Sequence, residues 1–152
     1  MKKLTIALFL LCSVSAFAQT QYRGAVKFVC GKADSKSTAA FAYSAGSYTT
    51  TINVGNLNSI DVSGTKRFSI ALLNETPGKI AGPVNWTLKP YTSMQIDCGN
   101  IWKHTGVIPG TFIEGFVFLI GAPSRFDVTA VYTVRDAGGD VVSMDVDAIA
   151  LR

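Results

Sequence analysis

Apolar and polar positions take turns along most of this chain, in short runs that end on glycine, proline, asparagine or aspartate. The pattern is clearest near the C-terminus. From Phe126 on, Val128, Ala130, Tyr132 and Val134 point one way while Asp127, Thr129, Val131 and Thr133 point the other. The closing run repeats it, with Val142, Met144, Val146 and Ala148 opposite Ser143, Asp145 and Asp147. A period of two puts each set on its own side of a sheet. Between the two runs, residues 136–140 (DAGGD) carry enough glycine for the positive φ angles of a hairpin loop. Phe112 to Ile120 is different: it is almost continuously apolar, which predicts a strand covered on both faces.

Earlier in the chain the same reasoning predicts strands over Tyr22 to Cys30, Ser47 to Val54, Ile60 to Val62, Thr65 to Leu73, Val84 to Leu88 and Tyr91 to Asp97. Gly55-Asn56, Ser63-Gly64, Pro77-Gly78, Gly82-Pro83 and Lys89-Pro90 punctuate them. Residues 32–46, rich in Ser, Ala, Lys and Gly, read as a loop with room for one short helix. No segment shows the spacing of a convincing amphipathic helix. Seven to nine short strands with turn signals every eight to twelve residues are the signature of an all-β chain, an antiparallel β-sandwich or barrel, with the sandwich expected. The immunoglobulin signature is missing, since Trp86 lies twelve residues before Cys98 and Ile96 holds the position of the usual tyrosine.

The first eighteen residues break the pattern. Met1-Lys2-Lys3 is a positive start, Leu4 to Val14 is apolar, and Ala16-Phe-Ala18 presents small residues for cleavage before Gln19. Residues 1–18 are therefore expected to be a signal peptide and 19–152 a single domain, exported to the periplasm or beyond. Lipidation at Cys12 fits poorly after Leu10 and Leu11. No segment is long enough to predict a membrane span. Without Lys2 and Lys3, twelve basic residues face ten acidic ones, so the net charge falls from +4 to +2. That balance gives no basic stripe for nucleic acid.

Loss of Cys12 leaves Cys30 and Cys98, the count expected for one disulfide in an exported chain. Two buried free thiols are the alternative, because sequence does not bring the Cα atoms within reach. With His104 they lack the paired spacing of a zinc site.

Other chemistry is sparse. His104 stands alone with no Gly-x-Ser-x-Gly elbow, so no catalytic residue is assigned and no cofactor is expected. Glu114 interrupts the apolar run; buried there, it would need a partner, whereas at the strand's exposed start it would not. Asp145 and Asp147 share a strand face and, with Asp136 or Asp140, are calcium candidates, although a solvated sheet face explains them equally well. Asn74 and Asn85 open glycosylation sequons, read as chance matches behind a bacterial-type leader. Trp86, Tyr91, Trp102 and Phe112 offer rings for a sugar platform, with Trp102 and His104 expected in an exposed loop. The ligand-binding candidates are Trp102, His104 and Trp86.

The stretches EGFVFLI (Glu114 to Ile120), FDVTAVYT (Phe126 to Thr133) and SMDVD (Ser143 to Asp147) resemble a group of small exported bacterial β-sandwich proteins without assigned function. SYTTTINV (Ser47 to Val54) and MQIDC (Met94 to Cys98) agree in layout. More distantly, the chain is similar to the β-sandwich of sensory rhodopsin transducer proteins, which associate as oligomers, although the export signal departs from that cytoplasmic type. The resemblance implies a binding or assembly role and supplies no catalytic residues. The expectation is a non-catalytic binding or interaction module with a protein or carbohydrate partner. One alternative is a structural subunit assembling through sheet edges or apolar faces into homo-oligomers or filaments. Another is a small secreted hydrolase using acidic residues.

Overall fold

The computed structural model describes residues 21–34, 43–72, 76–121 and 125–151. The expected signal peptide, the centre of the 32–46 loop, the Asn74 sequon and the turn at 122–124 lie outside the described residues. In chain order the elements are β1 (Arg23–Ala33), β2 (Gly46–Gly55), β3 (Val62–Ala71), β4 (Pro77–Leu88), β5 (Ser93–Asp97), α1 (Cys98–Thr105), β6 (Ile113–Gly121), β7 (Asp127–Arg135) and β8 (Val141–Ala148). The eight strands make one antiparallel sheet, ordered β4-β3-β6-β1-β2-β7-β8, with β5 also paired to β2.

The sheet doubles over at β1. Arg23 to Cys30 pairs with β6, whereas Gly31 to Ala33 pairs with β2. Gly31 makes the bend with a φ of +100°, and a Cβ there would stand 2.3 Å from the Thr111 carbonyl oxygen, so only glycine fits. The two halves share one apolar core. Phe28, Phe68, Val117 and Leu119 enter it from one side, Ile52, Val54, Val128 and Ala130 from the other. Burying each such side chain is worth about 1.5–3 kcal/mol, which makes this sandwich-like closure the main source of stability. Cys30 and Cys98 lie at disulfide distance, Cα atoms 5.6 Å apart, linking β1 to the first residue of α1.

Several turns are shaped by buried polar groups. Asn56 is 1% exposed, and its side-chain amide donates to the carbonyls of Ile60, Leu88 and Lys89 at 2.8, 3.1 and 3.0 Å. It thereby ties the β2–β3 connection to the end of β4.

The structure corrects some local expectations. Residues 98–105 are a helix rather than a loop, nucleated by a capping box in which Asp97 Oδ1 accepts from Asn100 N–H and Asn100 Oδ1 from Asp97 N–H. At eight residues it is too short for a helical period to stand out. Ser63-Gly64 lies inside β3, not at a turn. Gly64 is needed because the Trp86 indole covers it, within 2.6 Å of where a Cβ would be. Pro77-Gly78 and Gly82-Pro83 lie inside β4, tolerated because β4 is an edge strand with bulges in its pairing to β3. Ile60 is not in a strand; β3 begins at Val62. β6 is covered on one face only: Ile113, Val117 and Leu119 are buried, while Phe116 and Phe118 are about 40% exposed. In β8 the apolar set Val142, Met144 and Val146 is exposed throughout.

Candidate functional site

The residues singled out from sequence do not converge. Trp86 is buried against Phe126, ring centroids 5.2 Å apart, and so belongs to the core. Trp102 and His104 sit on α1, both half-buried. The Trp102 indole N–H donates to the Thr111 carbonyl at 3.0 Å. The His104 ring stacks on Phe68 at 4.9 Å; burial first, then the charges of Lys66 and Lys103, hold its pKa below the usual histidine value. Asp145 and Asp147 are exposed on β8, and no group of three or more metal-ligating side chains occurs among the described residues.

Other residues do converge, at the seam where the sheet divides. Between Arg23 and Cys30, β1 pairs with β6 on one edge and, among the described residues, with no strand on the other. Side chains stand in for the missing strand. Thr50 Oγ1 accepts from Val29 N–H and donates to the Val29 carbonyl, both at 2.9 Å. The Tyr132 hydroxyl donates to the Lys27 carbonyl at 3.1 Å. A hydroxyl suits this task because it is donor and acceptor at once.

A groove of about 280 Å³ opens along this seam, lined by Lys27, Val29, Tyr43, Tyr48, Thr49, Thr50, Tyr132, Thr133, Val134 and Asp147. Behind it the rings of Tyr43, Tyr48 and Phe112 pack edge-on or tilted, with centroids 5.2 to 5.7 Å apart. Lys27 Nζ lies 3.2 Å from Glu114 Oε2 and 5.8 Å from the centre of the Tyr43 ring, whose hydroxyl donates to the same carboxylate. Glu114, second residue of β6, is thus half-buried with two partners.

These contacts fix protonation states. Burial pulls the Lys27 ammonium down, but hydrogen bonds to Tyr43 and Glu114 outweigh it, so its pKa lies above the usual lysine value. Burial, then the hydrogen bond to Glu114, raises the Tyr43 phenol. Burial, then the carboxylates of Asp147 and Asp145, raises Tyr132. At neutral pH the groove therefore presents the Lys27 ammonium and the neutral phenols of Tyr43 and Tyr132.

A larger hollow of about 540 Å³ lies on the outer face of the other half, lined by Arg23, Ala25, Arg67, Phe118, Ile120 and Ala150 among others. It holds two guanidinium groups and apolar surface but no carboxylate or phenol. Apolar walls with a few convergent polar groups distinguish a binding site better than volume does, which favours the seam.

No family model, curated protein or solved structure matches the chain. Of the seam residues, the sequence singled out Glu114, read as lying at the strand's exposed start or else as buried with a partner, Phe112 as an aromatic and Asp147 as a calcium candidate. Tyr43 and Tyr132 carried no comparable signal, because each looks like ordinary loop or strand composition until β1 and β7 are brought together.

Proposed function

We propose that this protein is an exported binding module that takes a carbohydrate chain in the seam groove. One observation carries the reading: Tyr43 and Tyr132, from segments far apart in sequence, line a groove that also holds Asp147 and Lys27, the latter ion-paired to Glu114. Ring faces suit the apolar faces of sugars. Phenols, threonine hydroxyls, an ammonium and carboxylates suit sugar hydroxyls, which both donate and accept. Hydrolysis would call for two free carboxylates flanking a bond; Glu114 is already engaged by Lys27 and Tyr43, and binding needs no such pair. The leader-like N-terminus and the Cys30–Cys98 pair support the exported setting.

Calorimetric titration with hexasaccharides of β-1,4-linked glucose and of N-acetylglucosamine tests it. The expected result is saturable binding of one of them, lost in Tyr132→Ala and kept in Tyr132→Phe, which retains the ring. No binding of either at millimolar concentration, or binding untouched by Tyr132→Ala, overturns the reading.

A further inference from the structure

Beyond the seam groove, β8 carries an observation of its own. It is held by β7 alone, and no described residue pairs its outer edge. Ile149 N–H bonds to the Val128 carbonyl at 2.9 Å, so by strand alternation the N–H groups of Met144, Val146 and Ala148 point away from β7. Val146 N–H is accordingly found on the adjacent Asp145 Oδ1, at 2.9 Å. Val142, Met144 and Val146 are 57–64% exposed. From Ser143 to Ala148 the pairing with β7 is regular, with one register shift before it at Val142; such an edge, with apolar side chains and no proline or lysine, is a template for another strand.

The strand at the opposite end of the sheet, β4, does not fit it. Pro77 and Pro83 remove two donors from β4, and its pairing with β3 is broken by two register shifts. Head-to-tail joining of β8 to β4 is therefore blocked, and β5, a third edge strand held by β2 alone, offers only five residues, so the full length of β8 is matched by β8 of a second copy across a two-fold axis. Pairing must match outward N–H groups and keep side-chain faces aligned, so the paired residue numbers must sum to an even value. Placing Asp145 opposite itself would set like charges against each other. Shifting by one permitted step puts Met144 opposite Met144, Val146 opposite Val142, and Asp145 opposite Ser143. In that register Val142, Met144 and Val146 of both copies merge into one apolar strip.

We propose that β8 pairs antiparallel with β8 of a second copy, centred on Met144, to form a symmetric dimer with one continuous sheet. The proposal is independent of what the groove binds.

Light scattering coupled to size-exclusion chromatography, on protein purified after expression of the full chain, tests it across a concentration series. The expected result is a dimer that Met144→Lys weakens by roughly tenfold or more. Val146→Pro, which removes an outward N–H and leaves the β7 pairing intact, should also yield monomer. Ile80→Lys, on the exposed face of β4, should leave the dimer unchanged. Circular dichroism checks that each variant keeps its strand content. A monomer at every concentration, a larger assembly, or a dimer indifferent to both β8 substitutions overturns the proposal.

Discussion

The end strands of the sheet's main path, β4 and β8, are built to opposite rules. β4 is interrupted by Pro77 and Pro83, and its side of the fold is backed by α1, where Lys79 Nζ donates to the Thr105 carbonyl at 2.8 Å and His104 stacks on Phe68 of β3. β8 has no proline, and no described residue backs it. Its register even turns its apolar side chains outward, because Asp145 and Asp147 pair with Tyr132 and Ala130 and so share the inward face of β7. One edge is closed against pairing and the other left open. The contrast puts the proposed dimer contact where exposed apolar residues meet an open backbone edge, rather than where apolar content alone is highest.

The largest effect should come from the strand common to both halves. Reducing Cys30–Cys98, or replacing both with alanine, opens a loop whose ends are 68 positions apart and should cost about 4 kcal/mol in the chain-entropy model. Urea unfolding with and without reductant measures this; identical midpoints would mean the bridge is not formed. The β4 and β8 sides should loosen together, since both hang from β1.

Next is Thr50→Val, which keeps the shape but strips Val29 of its stand-in partner at the seam. Leaving a buried N–H and carbonyl unpaired should cost about 2 kcal/mol in the same assay. A neutral result would show that β1's free edge needs no substitute strand.

A smaller effect should appear on the β4 side as a pH dependence. His104 has a folded pKa below its unfolded one, so the unfolded chain takes up its proton first. Its contribution to stability is intact above about pH 6.5 and declines as the pH falls through that value. Thermal unfolding at pH 7.5 and 5.5 should show a larger drop for the natural protein than for His104→Gln; equal drops would contradict the packing of α1 described above. The smallest effect is expected on β8, where Val146→Thr should change monomer stability by no more than about 0.5 kcal/mol, because its side chain is mostly solvated.

The all-β architecture was legible because period-two alternation is a local property, visible from Val128 to Val134 without any partner. The pairing of Cys30 with Cys98 could be anticipated from their number and setting, though not their approach. What escaped were features that depend on neighbours. Gly64 looks like a turn until Trp86 is laid over it, and residues 98–105 look like a loop because a capping box needs only two side chains to start so short a helix. Phe116 and Phe118 read as buried, since an apolar run does not reveal which of its faces lacks a covering layer. The groove depends on Lys27 and Tyr132 meeting across 105 positions, so no spacing rule could have assembled it.

Residue-resolved amide hydrogen exchange, followed by NMR over a range of protein concentrations, tests the contrast between the edges most directly. The amides of Met144 and Ala148, which point away from β7, should exchange more slowly as concentration rises, while the outward amides of β4 should not respond. Rates at Met144 and Ala148 that stay fast and independent of concentration would show that nothing pairs with the open edge.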